Sequence, residues 1–241
     1  MRAWEWPGEV TVDAGLRGQG LVHLHGLGII HGDLKPGNVL LASQGGALVP
    51  KITDFGLVKV VMADSVPGRN ATRAGSTMGT PAYMAPEMLA GEMAKLGPRT
   101  DVYLLGAVLH EILTGEAPHR ADSVGDFVDS VMRSDPQLGD DVPEELAAIC
   151  RKAMAARPEE RYASADELRV ALQSFLRHRA STRLSAEGRE RLRALREHVA
   201  STEREADEAG ATAQHLFTEA RFAFEAALRE WPENLAAKQG I

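Results

Sequence analysis

Asp33, Lys35 and Asn38 stand close together in His31-Gly-Asp33-Leu-Lys35-Pro-Gly-Asn38, and a second carboxylate, Asp54, opens Asp54-Phe55-Gly56 further along the chain. Between them lie two short β-forming runs, Val39–Leu41 and one around Val49–Thr53, separated by the turn-prone Ser43-Gln-Gly-Gly46. That pattern predicts a hairpin. Antiparallel pairing sets the start of one strand opposite the end of its partner. Asn38 immediately precedes the first strand and Asp54 immediately follows the second, so pairing brings two hard oxygen donors toward one point. Asp33 and Lys35 lie on the loop that enters the hairpin. Mg²⁺ suits such a pair, because it takes few protein oxygens and leaves phosphate and water to complete its octahedron. Singly, each element has a plainer use. Asp33 can cap a turn, Lys35-Pro36-Gly37-Asn38 reads as a surface turn, and Asp-Phe-Gly is a common tripeptide. Their joint order and spacing carry the weight.

That series, followed by Ala85-Pro86-Glu87, resembles the catalytic loop, metal-binding motif and activation-segment end of a eukaryotic-like (bacterial-type) serine/threonine protein kinase. The resemblance covers residues 14–179, the family's C-terminal lobe. It implies a mainly α (α+β) fold: a kinase-like C-lobe with a small β-hairpin at the catalytic loop, followed by C-terminal helices. It also implies transfer of the ATP γ-phosphate, with Mg²⁺, to Ser or Thr of a protein substrate. By that resemblance Asp33 orients and deprotonates the substrate hydroxyl, and Lys35 offsets charge on the transferred group. Asn38 and Asp54 hold Mg²⁺, and with Lys35 they contact the nucleotide. Phe55 and Gly56 complete the metal-binding motif.

Supporting positions match too. Gly79-Thr80-Pro-Ala-Tyr-Met-Ala-Pro-Glu87 resembles the segment that docks the protein substrate, and Thr80 with Lys35 points to the serine/threonine branch. Glu87 and Arg161, the latter in Arg157-Pro-Glu-Glu-Arg161-Tyr, match the family's buried ion pair. Asp101 matches the aspartate that accepts catalytic-loop N–H groups, and it also reads as a helix N-cap. His31 is expected to pack structurally and donate a hydrogen bond.

The chain departs from the family in three places. Its first lysine is Lys35, whereas the family's ATP-anchoring lysine lies upstream of the catalytic loop. Glycines 15, 18, 20, 26 and 28 do not form G-x-G-x-x-G, and no valine-rich strand flanks them. The expectation is that the N-lobe is absent from these 241 residues, with 1–13 an irregular remnant. The alternative function is then a catalytically weak or inactive, pseudokinase-like scaffold or binding module. Gly32 stands where many kinases carry arginine, which argues against control by loop phosphorylation; Thr72, Ser76 and Thr77 stay candidate phosphoacceptors but read more simply as residues that solubilise the loop. Leu104 replaces a small polar residue, without evident consequence.

Helical patterns follow the hairpin. A polar segment, 57–80, reads as a mobile loop. Asp101–Thr114 reads as a core helix, Val124–Arg133 as amphipathic, and Pro143–Ala156 and Ala165–Arg177 as capped helices, the last with Ser164-Ala-Asp-Glu167 as a capping box. Residues 180–241 form a charged helical extension, with patterns over 187–209 and 211–230 ended by Trp231-Pro232. Ala220-x-x-x-Phe224 followed by Pro232 resembles the second helix of a tetratricopeptide repeat. An ordinary amphipathic helix or a coiled-coil linker fits equally well. Either form offers helices to a protein partner.

Net charge is −7 with both signs interleaved, which argues against nucleic-acid binding. Cys150 is the single cysteine, so an intrachain disulfide and a multi-thiolate zinc site are excluded. No run reaches the roughly 20 apolar residues of a membrane span. The N-terminus lacks the apolar core of a secretory signal. The expectation is a soluble, cytoplasmic chain.

Overall fold

The computed structural model describes residues 19–44, 47–54, 81–201 and 206–241. The segment 1–13, the polar segment 57–80 with Thr72, Ser76, Thr77 and Thr80, and Phe55 and Gly56 lie outside the described residues. The chain divides into two compact units, Met1–Leu172 and Gln173–Ile241.

In the first unit, α1 (Gln19–Gly26) buries Leu21 completely. It ends where Gly28 takes the left-handed φ of +73°. The Gly28 N–H then reaches the His25 carbonyl at 3.0 Å and the Ile29 N–H reaches the Leu24 carbonyl at 2.9 Å, which satisfies carbonyls the helix leaves open. The chain is thereby turned into the loop that carries His31.

The hairpin follows, β1 (Val39–Gln44) pairing antiparallel with β2 (Ala47–Ile52), with Val39 opposite Ile52. β1 is longer than the sequence pattern indicated, because Ser43 and Gln44 pair with Leu48 and Ala47. Residues 45 and 46, between the strands, lie outside the described residues. Leu40, Leu41 and Leu48 on this hairpin are all exposed.

After the short α2 (Pro86–Leu89) comes α3 (Pro98–Thr114), the spine of the unit. Pro98 occupies its first turn, where a missing N–H costs nothing. Gly115, at φ +79°, ends it. The N-cap is Gly97, not Asp101; Asp101 sits one turn inside the helix and is fully buried. α4 (Val124–Arg133) and α5 (Glu144–Ala153) follow. At Gly106 a Cβ would come within 2.8 Å of both Ala153 Cβ and Met154 Cγ, so glycine is what lets α3 approach α5. Leu21, Leu34, Leu104 and Ala165 form a core against which Ile52, Tyr83 and Met88 pack. Cys150 is buried on α5, and burial pushes its thiol up to about 12.

α6 (Ala165–Ser201) is continuous where the sequence pattern indicated two helices. Nothing between 178 and 186 breaks a helix, so the composition shift near residue 180 is not a boundary of secondary structure. The division between the two units falls inside it. The capping arrangement at its start is offset from the expected box. Ser164 Oγ accepts the Glu167 N–H at 3.1 Å, but Glu167 reaches back to the Ala163 N–H at 2.9 Å.

In the second unit, the C-terminal part of α6 is joined by α7 (Ala206–Glu230) and α8 (Leu235–Lys238). Ala220, Phe224, Ala227 and Ala237 form its core, packed by Leu184, Leu192 and Leu228. The Phe224 ring lies against Gly188 and Gly240, where added Cβ atoms would come within 2.9 and 2.3 Å of it. Asn234 ties the elements together. Its carbonyl oxygen accepts the Ala237 N–H at 3.1 Å, and its amide donates to Ser181 and Ser185 at 2.8 and 2.9 Å.

Candidate active site

The loop between α1 and β1 is held by hydrogen bonds that reach across the chain. Asp101 accepts the His31 N–H at 2.8 Å through one oxygen and the Gly32 N–H at 2.7 Å through the other. His25 Nε2 reaches the first of those oxygens at 2.8 Å. A carboxylate is suited to this place because it offers several lone pairs where a buried loop presents only donors. Gly32 sits at φ +70°, a conformation that disfavours residues with a Cβ.

His31 is fully buried and fixes the loop a second time. Its Nδ1 accepts the Asp33 N–H at 3.2 Å, which places the proton on Nε2, and Nε2 donates to the Thr53 carbonyl at 2.9 Å. The far end of β2 is therefore tied directly to the loop.

Three predicted site residues meet here. Lys35 Nζ lies 2.9 Å from Asp33 Oδ2 and 3.2 Å from Oδ1. Asn38 Nδ2 donates to the Asp33 carbonyl at 2.8 Å and to Asp33 Oδ2 at 3.0 Å. Both amide hydrogens of Asn38 are thus engaged, and no donor among the described residues reaches its Oδ1. Asp33 and Lys35 side chains keep 24% and 23% of their surface exposed, so the pair is reachable from solvent.

Asp54 is placed by the hairpin. The Thr53 N–H donates to the Asn38 carbonyl at 2.9 Å, one step beyond the Val39–Ile52 pair. Asp54 follows at φ +60°, exposed and without a hydrogen bond or ion pair among the described residues. Asn38 Oδ1 and the Asp54 carboxylate are hard oxygen donors, a set that fits Mg²⁺ with phosphate and water as remaining ligands. Among the described residues no group of three or more His, Cys, Asp or Glu side chains could hold a metal by itself.

Glu87 and Arg161 meet away from this point. Arg161 grips both Glu87 oxygens at 2.7 and 2.8 Å, with both side chains buried. Its remaining N–H groups donate to the carbonyls of Ala155, Arg99 and Ala156 at 2.8, 3.0 and 3.0 Å. All five guanidinium donors are used, and the Tyr103 ring lies 4.7 Å beneath.

Sequence reasoning missed His25, Thr53 and the polar cluster under α3. In that cluster Tyr103 Oη meets His119 Nε2 and Ser134 Oγ, each at 2.7 Å. Burial, with the charge of His110, lowers His119 to about 4. Tyr83 donates its hydroxyl to Glu111, and burial and that carboxylate raise it above its usual range. His25 left one trace in the sequence: it lies one helical turn after buried Leu21, hence on the inward face.

Asp33, Lys35 and Asn38 thus form one hydrogen-bonded set on a loop anchored by Asp101, and the paired hairpin sets Asp54 just beyond the Asn38 backbone. The family model of the protein kinase domain matches residues 17–188, and the chain belongs to that family. It is similar to the serine/threonine-protein kinase PknB of Mycolicibacterium smegmatis, 39% identical over 158 residues, which is 64% of this chain and 24% of that protein. It is similar to PknB of Mycobacterium tuberculosis, 37% identical over 168 residues, 68% of this chain and 25% of that protein. PknH of Mycobacterium bovis is 37% identical over 156 residues, 63% of this chain and 24% of that protein. The chain thus spans about a quarter of the length of these relatives. No helix among the described residues is long and apolar enough to cross a membrane.

Proposed function

We propose that this chain carries the catalytic lobe of a serine/threonine kinase, transferring the ATP γ-phosphate to a Ser or Thr hydroxyl of a protein substrate. The observation that carries the reading is the hydrogen-bonded set Asp33, Lys35 and Asn38, held in place by Asp101. In this reading 14–179 is the kinase lobe and 180–241 a charged helical extension open to a protein partner. The setting is cytoplasmic, where ATP is available.

When bound, Mg-ATP supplies the phosphoryl group and a cation that offsets its charge. Asn38 Oδ1 and Asp54 are the residues that would hold that cation. Asp33 accepts the substrate hydroxyl proton at Oδ1. Among the described residues its Oδ2 is occupied by Lys35 and Asn38 at 2.9 and 3.0 Å, whereas Oδ1 has only the longer Lys35 contact of 3.2 Å. Lys35 sits beside Asp33 and offsets negative charge developing on the transferred group. Beyond that proton, positioning and electrostatics are the contribution asked of these side chains.

Transfer of labelled phosphate from ATP to a basic protein tests this reading. Label on Ser or Thr that is lost in Asp33→Asn supports the kinase reading. No label, from this chain or from one extended at its N-terminus, contradicts it.

A further inference from the structure

Immediately beyond the family-matched segment 17–188, the second unit carries a cavity of about 340 Å³. Arg189, Arg193 and Arg196 of α6 line it with Leu192, and Ala236, Gln239 and Gly240 close the other side. The arginines stand at i, i+4 and i+7, so one helix face presents three guanidinium groups that repel one another. None of the three forms an ion pair among the described residues. Their neighbours behave differently: Arg191 pairs with Glu219 at 3.1 Å and Arg183 with Glu187 at 3.6 Å. A chain with net charge −7 has carboxylates to spare, yet these three cations face a cavity without one.

We propose that this cavity binds a phosphate monoester, in the form of a phosphoserine or phosphothreonine side chain of a protein. Guanidinium groups match phosphate oxygens two at a time, and a phosphate monoester carries up to two charges near neutral pH. The volume falls at the low end of the roughly 300–1,000 Å³ of small-ligand pockets. It suits one modified side chain. Leu192 and Ala236 give the ligand's carbon stem an apolar wall, and the Gln239 amide adds donors. Three arginines in one concavity do not make the extended basic surface that a bilayer or a nucleic acid needs. Choosing a phosphorylated Ser or Thr as the source rests on the kinase reading above; the affinity for phosphate rests on the cavity alone.

The test is fluorescence anisotropy of the full chain with a synthetic phosphothreonine peptide, its unphosphorylated twin, and vesicles of phosphatidylcholine and phosphatidylserine in equal parts. The phosphopeptide is expected to bind at least about tenfold more tightly than its twin, with affinity falling as salt rises. Arg193→Gln and Arg196→Gln each lower that affinity several-fold. Arg193→Lys also weakens it, because a point charge does not replace the planar fork. All three side chains are exposed, so unchanged helical circular dichroism certifies the fold of each variant. Equal binding of the two peptides, indifference to both glutamine variants, or vesicle binding stronger than peptide binding overturns the proposal. The peptide is phosphorylated by synthesis. Loss of binding with transfer retained therefore contradicts the cavity alone, and loss of transfer with binding retained contradicts the kinase reading alone.

Discussion

The carboxylate of Asp101 holds the backbone N–H of His31 at 2.8 Å across 70 positions of sequence. With the Gly32 N–H and His25 at the same carboxylate, this contact fixes the loop on which Asp33 and Lys35 stand. Asp101→Asn keeps the shape but has a single acceptor oxygen, and its amide is forced toward one of these partners. Stranding a buried donor costs about 1–3 kcal/mol. Urea denaturation of the variant is expected to show a loss in that range, together with loss of phosphate transfer.

Glu87 and Arg161 predict a larger effect. Arg161→Met leaves the Glu87 carboxylate buried beside a methyl thioether and is expected to cost about 3–5 kcal/mol. The double variant Glu87→Gln/Arg161→Met removes the stranded charge and recovers part of that loss. Equilibrium unfolding of the two variants reads the difference; equal losses would show that the pair is not the source.

His119 makes stability pH-dependent. Its ring nitrogens meet Tyr103 Oη and Ser130 Oγ at 2.7 and 3.0 Å, and His110 lies near enough to oppose its charge. The unfolded chain takes up this proton near the ordinary value of 6.5, and the folded chain only near 4. Stability from this group is therefore fully present above 6.5 and is lost as pH falls toward 4, by at most roughly 3 kcal/mol. Unfolding midpoints measured across that window are expected to fall more steeply for the wild type than for His119→Gln.

Two glycines predict opposite signs. At Gly188 a Cβ would come within 2.9 Å of the Phe224 ring, whereas at Gly210 nothing lies within 4 Å. Gly188→Ala is expected to destabilise the chain by about 1–3 kcal/mol through overpacking. Gly210→Ala is expected to stabilise α7 by up to about 1 kcal/mol. Thermal melts of the two variants should move in opposite directions.

Much of this was legible in the chain itself, and the rest was hidden for physical reasons. The hairpin could be read because Val39–Leu41 and Val49–Thr53 flank a turn-prone segment, and pairing then fixes where Asn38 and Asp54 stand. The Glu87–Arg161 and Asp101–His31 contacts lie 74 and 70 positions apart, and only resemblance to a family pointed to them. His25 was missed because a histidine on a short helix carries no mark of a partner so far along the chain. The His119–Tyr103–Ser134 cluster was missed because its members come from separate elements and share no motif. The length of α6 was misjudged because a shift from apolar to charged residues resembles a boundary. A helix, however, can pass from one set of neighbours to another without a break.

A Mg²⁺-nucleotide site formed by Asn38 Oδ1 and Asp54 beside Asp33 and Lys35 is the central element of the proposed function. The most direct test is calorimetric titration of the full chain with ATP, with and without Mg²⁺, for the wild type and for Asp54→Asn. Asp54 is exposed and makes no hydrogen bond or ion pair among the described residues that the substitution would break, and asparagine also tolerates its positive φ. Magnesium-dependent binding that weakens at least about tenfold in Asp54→Asn is the predicted result. Binding that ignores both Mg²⁺ and the substitution, or no binding at all, would contradict the account.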